Sequence, residues 1–243
     1  MPTRKRRIVF AGSAADPPHI GHRQFIEALL THDDDDDMPF FDLVLWYPSG
    51  SRPDKDIATP ADHRVAMTQI AFGDPLEYPM SGKRLRIRYA DAYGTSTPTV
   101  HLLKQLEGEF PDAEIWFATG SDALQPQERY DGMCEIEAVW FQGRKLLEAA
   151  RIAVIIRKEY VDWQDSRTRP NYHDIVGSYV DPLPNIASSA IRQAIADGAT
   201  LHDMAAVLHP RVLGYIALHR LYRCAWTHRD WIRWNWESAR KAM

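Results

Sequence analysis

The chain has 243 residues, 45% of them hydrophobic and 26% charged, with a formal net charge of −4. This composition suits a globular protein of one large or two small domains and argues against nucleic acid as a dominant partner. The two cysteines, Cys134 and Cys224, form neither a metal-ligand spacing nor a disulfide framework, as expected in a reducing compartment.

In chain order, Arg7–Ala11 is predicted as a first strand and Gln24–Leu30 as a helix, followed by an acidic, solvated loop at Asp33–Asp37. Phe41–Tyr47 reads as a second strand, 60–72 as a helix, and Leu85–Tyr89 as a third strand. A helix is predicted from Pro98, with Thr97 as its N-cap. Glu114–Thr119 and Arg151–Ile156 have the apolar character of buried strands, and Ser188–Ala196 and Val207–Tyr222 are helical. Strands alternating with helices imply an α/β fold with a doubly wound, mostly parallel sheet and a helical C-terminal part. Ligands of such sheets sit at the carboxyl ends of the strands, which places Gly12, Pro48, Gly120 and Arg157 around one crevice. No apolar run approaches the ~20 residues of a membrane helix, and no long apolar stretch follows the basic N-terminus. A cytoplasmic protein without a membrane partner is expected.

Two stretches carry chemistry. The first is Gly12-Ser-Ala-Ala-Asp-Pro-Pro-His-Ile-Gly-His22, at a strand-to-helix turn. A helix start offers unpaired N–H groups and a positive dipole end, and His19 and His22 would add two ring donors, a combination suited to phosphate. The same histidines are equally consistent with a cap and a surface residue; a metal pair lacks a third ligand nearby. The second is Ile186-Ala-Ser-Ser-Ala-Ile-Arg192, where Ser188 and Ser189 open a helix and Arg192 follows one turn on. This is a phosphate clamp or, taken alone, an ordinary serine cap beside a solvated arginine.

Together, in this order and separation, the two stretches resemble the signatures of the nucleotidyltransferase superfamily. The residues between them resemble the bacterial nicotinate mononucleotide adenylyltransferase family: Pro48–Lys55 matches its Pro-rich loop, Ser96–Thr99 its substrate loop, and Gly120-Ser-Asp122-Ala-Leu124 its Gly-x-Asp-x-Leu. Trp140 and Arg157 keep the family's spacing, and Leu208–Tyr215 and Leu221–Arg223 match its C-terminal helix. The chain departs from the pattern at Ser13, Ala15, Ala187 and Asp54, and the stretch between Asp122 and Trp140 is longer.

The resemblance covers about residues 7–223 and implies a single nucleotidyltransferase domain over 1–223 that transfers the adenylyl group of ATP to nicotinate mononucleotide. His19, His22 and Arg192 would be catalytic. Gly12, Ser13, Lys55, Gly120, Asp122, Ser188 and Ser189 would bind ATP, with Gly120 and Asp122 on a ribose. Thr99, Trp140 and Arg157 would bind the acceptor. Mg2+ is expected to arrive on ATP, with no metal ligands from the protein. The rival readings are a related transferase acting on nicotinamide mononucleotide or phosphopantetheine, and a non-catalytic nucleotide-binding regulator. A class I aminoacyl-tRNA synthetase also carries His-x-Gly-His, but the chain has no Lys-Met-Ser-Lys-Ser motif. The extension 224–243, with four tryptophans among arginines, reads as a membrane-surface helix, a contact between copies in a homo-oligomer, or a helix packed on its own domain.

Overall fold

The computed structural model describes residues 4–33, 38–52, 57, 59–73, 83–156, 171–175 and 186–241. Its centre is a six-stranded sheet: β1 (Arg6–Ser13), β2 (Leu43–Pro48), β3 (Leu85–Ile87), β4 (Ala113–Gly120), β5 (Arg151–Ile155) and β6 (Tyr172–Ile175), in the order β3-β2-β1-β4-β5-β6. All five pairings are parallel. The order reverses between β1 and β4, the switch point at which a doubly wound sheet opens its ligand crevice.

The strands are continuous apolar runs because both faces of a parallel sheet are covered. Successive side chains point to opposite faces, so Ile8 and Phe10 join one core with Leu45, Ile115, Phe117 and Ile152. Val9 and Ala11 join the other with Val44, Trp46, Trp116 and Ala153. Helices α3 (Thr99–Glu109), α4 (Glu135–Val139) and α5 (Gly143–Ala149) supply the first core; α1 (Ile20–Thr31) supplies the second. Beyond the sheet, α6 (Ser188–Ala196), α7 (Leu201–Ala205), α8 (Pro210–His219) and α9 (His228–Lys241) build a third core around Ile191, Ile195, Val212, Leu213 and Ile216. Met67 of α2 (Ala61–Thr68) packs into it and so ties this helical part to the rest.

Several boundaries differ from the sequence expectation. α1 starts at Ile20, four residues ahead of Gln24, because His19 caps it. The helix over 60–72 is α-helical only through Thr68 and ends in a π-helical turn, Gln69–Gly73. Thr97 does not cap α3: Pro98 stands at that position, and Thr97 instead donates from N and Oγ1 to the Asp91 carboxylate at 2.9 and 3.0 Å. The Asp91 carboxylate takes both Thr97 donors and so holds its hydroxyl away from the helix end, where it would have acted as an acceptor. β6 was not predicted.

The tail forms α9, opened by a reciprocal Thr227–Asp230 capping box. Trp231 lies on α8, where Gly214 lets its indole come so close that a Cβ there would stand 2.7 Å from the ring. Trp231 Nε1 also donates to the Pro210 carbonyl at 2.9 Å, and Trp226 Nε1 to that of Ala199 at 2.8 Å. Trp236 is 67% exposed. Among the described residues, no helix is long and apolar enough to cross a membrane. Trp231→Ala is expected to lower stability by about 2 kcal/mol in urea unfolding, from lost packing and the lost hydrogen bond; an unchanged midpoint would show that α9 does not support α8.

Candidate active site

A cavity of about 600 Å³ opens at the switch point. It is lined by the β1-to-α1 turn with Gly12, Ser13, His19 and His22, and by the start of α6 with Ser188, Ser189 and Arg192, which packs directly on that turn. Gly120 and Asp122 at the end of β4, with Trp140 and Arg52, close the far end. Ten of the residues expected at the site thus line one cavity. Thr99 is the first residue of α3 and is not among those that line it. Lys55 and Arg157 lie outside the described residues.

The two histidines form an unusual cap. His19 Nδ1 accepts from Gly21 N–H at 3.1 Å, and His22 Nδ1 accepts from His19 N–H at 3.2 Å. An imidazole nitrogen that accepts carries no proton, so each neutral ring keeps its hydrogen on Nε2. The rings stack with centroids 3.8 Å apart. His22 Nε2 stands 2.9 Å from Ser13 Oγ, which also receives the Ala15 N–H at 3.3 Å. Gly12 allows the strand end to pass close to β2: a Cβ there would meet the Tyr47 carbonyl at 2.8 Å.

This arrangement changes one expectation. The first N–H groups of α1 are not open to an anion. Ile20 donates to the Val207 carbonyl at 2.9 Å, Gly21 to His19 Nδ1, and His22 and Arg23 to the His19 carbonyl at 3.0 and 3.2 Å. An anion at this turn would therefore meet the imidazole rings and the helix dipole, not open backbone N–H groups. Ser188 departs in a similar way, because its hydroxyl donates to the Pro17 carbonyl at 3.0 Å and holds the loop.

The loop before the histidines is pinned from three sides. Asp16 is 1% exposed. Its carbonyl accepts from Arg192 at 2.7 Å, and its carboxylate accepts from the Tyr222 hydroxyl at 2.7 Å and lies 3.7 Å from the Arg192 guanidinium. Arg64, 3% exposed, donates to the carbonyls of Thr59, Ala14, Ser49 and Ala92, and so joins the ends of β1 and β2. Burial lowers the Arg64 pKa, and the charge of Asp16 opposes that shift. Burial, with the adjacent Asp16, pushes the Tyr222 phenol far above its ordinary range, so it remains a donor. Asp16, Arg64 and Tyr222 received no role from the sequence. Asp16 sits inside the first motif, but the partners that reveal its role lie 48 to 206 residues away.

The profile of the cytidylyltransferase-like family matches residues 10–194. A probable nicotinate-nucleotide adenylyltransferase of Thermomicrobium roseum is 31% identical, covering 89% of this chain and 92% of that protein. One of Corynebacterium glutamicum is 28% identical over 93% of each. A solved Plasmodium falciparum nicotinic acid mononucleotide adenylyltransferase complexed with NaAD superposes with a TM-score of 0.71 at 22% identity, covering 90% of this chain and 98% of that one.

Tyr222→Phe removes the hydroxyl that answers a buried carboxylate, and is expected to cost about 2 kcal/mol of stability. Equilibrium unfolding with the two proteins side by side checks it; equal stability would mean that Asp16 finds another donor.

Proposed function

The chain belongs to the cytidylyltransferase-like family of nucleotidyltransferases, and from that premise we propose that it joins ATP to nicotinate mononucleotide, releasing deamido-NAD and pyrophosphate. The observation that carries the reading is the set of groups gathered in one cavity at the switch point: His19 and His22 on the β1-to-α1 turn, with Ser189 and Arg192 on the helix start packed beside it.

The acceptor's 5′-phosphate oxygen attacks the α-phosphorus of ATP, and the bond to the β-phosphate's bridging oxygen breaks. The nucleophile is already an anion, so the reaction asks for no general base. What the protein supplies is alignment of two polyanions and donors for the charge that spreads over the phosphate oxygens. His19 supplies a ring N–H donor, His22 supplies a second when its Nε2–H turns from Ser13 Oγ to the phosphate, and Arg192 supplies positive charge beside them. Arg192 is oriented for this by its bond to the Asp16 carbonyl. Asp122 suits a ribose, since a carboxylate accepts from both hydroxyls. Trp140, packed edge-on to Phe117 at 5.7 Å, offers an indole face to the electron-poor pyridine ring.

Mg2+ enters this scheme as part of the nucleotide substrate, where it offsets phosphate charge. Among the described residues, no group of three or more His, Cys, Asp or Glu side chains is placed to hold a metal ion.

Purified protein with ATP, Mg2+ and nicotinate mononucleotide is expected to yield deamido-NAD and equimolar pyrophosphate by chromatography; no product beside a working control enzyme overturns the reading. His22→Ala is expected to lower kcat by about 10²–10³-fold, the loss that follows removal of one transition-state donor. A folded His22→Ala protein with undiminished turnover would remove His22 from catalysis.

A further inference from the structure

The acceptor end of the cavity contains a cation that the phosphate chemistry does not use. Arg52 follows β2, lines the cavity, and places its guanidinium 5.5 Å from the centre of the Trp140 ring. Among the described residues, the arginines and lysines lining the cavity are Arg52 and Arg192. Arg192 is tied to Asp16 at the histidine end. Arg52 stands at the other end, beside the aromatic face.

We propose that Arg52 selects the acid form of the acceptor by pairing with the carboxylate on its pyridine ring; the proposal rests on the adenylyltransferase reading above. A pyridine stacked on Trp140 carries a fixed positive charge on its ring nitrogen. A guanidinium at the edge of that stack is repelled by the ring and attracted by a carboxylate on it. The nicotinate acceptor supplies both charges, and the carboxylate is the one at the rim of the ring. The nicotinamide acceptor supplies only the ring charge and a neutral amide, so for it the repulsion stands alone. Arg52 therefore discriminates in two ways: a charge-assisted, two-pronged bond to the acid and an unanswered like charge against the amide. Glu135 lines the same end and would oppose an anion there, but it lies 3.6 Å from Arg129, which offsets its charge. Arg52 is half-buried, in the loop after β2.

The test compares wild-type protein, Arg52→Gln and Arg52→Lys with nicotinate and nicotinamide mononucleotides. Two readouts are taken: kcat/KM with ATP and Mg2+, and direct binding of each mononucleotide alone by titration calorimetry. Wild type is expected to favour the acid. Arg52→Gln is expected to reduce the acid-to-amide ratio about 10- to 100-fold in both readouts, mostly through KM, the loss of one charged hydrogen-bonded pair. Arg52→Lys, which keeps the charge but not the fork, is expected to fall between. Ratios that stay within about threefold of wild type overturn the proposal; so does an equal loss for both acceptors. The two readings fail separately. Wild type that binds both mononucleotides but forms no dinucleotide overturns adenylyl transfer, while the binding ratio still decides Arg52. Wild type that forms dinucleotide with ratios indifferent to residue 52 overturns the role of Arg52 alone.

Discussion

A buried carboxylate holds the site together. Asp16 lies in the turn between β1 and α1, where an uncompensated charge would cost several kcal/mol. Its compensation comes from elsewhere in the chain: the Tyr222 hydroxyl, the Arg192 guanidinium, and the field of Arg64. The flanking carbonyls of Ala14 and Pro17 are bound in turn by Arg64 and Ser188. The strand end, α2, α6 and the turn after α8 are thus fixed to one short loop, and the histidines that follow inherit their position from it. Removing any partner leaves the buried carboxylate or one of these carbonyls without its donor.

Both elements that line the cavity also hold the structure together. On the β1–α1 side, the imidazoles are also structural, because their Nδ1 atoms close the helix start. On the proposed reading the same two side chains are donors and cap, and a replacement would have to satisfy the backbone and still present a proton to the ligand. On the α6 side, Arg192 both holds the loop and faces the cavity. Sites that depend on alignment gain from this economy, since groups locked by structural bonds lose little freedom when substrate arrives.

Much of this was legible in the sequence because it rests on local pattern. The runs around Val9, Val44, Ile115 and Val154 read as strands since sheets covered on both faces require unbroken apolar segments. Ser188 and Arg192, one helical turn apart, showed a shared face before any coordinates. β6 was not legible: Tyr172-His-Asp-Ile175 is a short edge strand with two polar residues and no strand-length apolar run. Nor were Arg64 and Tyr222. On an isolated helix Arg64 looks solvated, and nothing within a few residues of Tyr222 signals a carboxylate 206 positions earlier. The competition of Asp91 for Thr97 was hidden for the same reason, since capping rules weigh only the helix's own residues. Arg52 belongs to a loop whose family match drew attention to Lys55, and its place beside Trp140 depends on how two separate loops meet.

The span of the contacts to the Asp16 loop has a consequence for how the protein is made. Ser188, Arg192 and Tyr222 reach back 171, 176 and 206 residues. During synthesis the sheet strands emerge first and can pair, while the loop that orients His19 and His22 waits for segments translated later. Contacts of such long sequence separation form slowly and only after the intervening chain is ordered. A nascent chain can therefore hold sheet strands before the Asp16 loop has the partners that fix it.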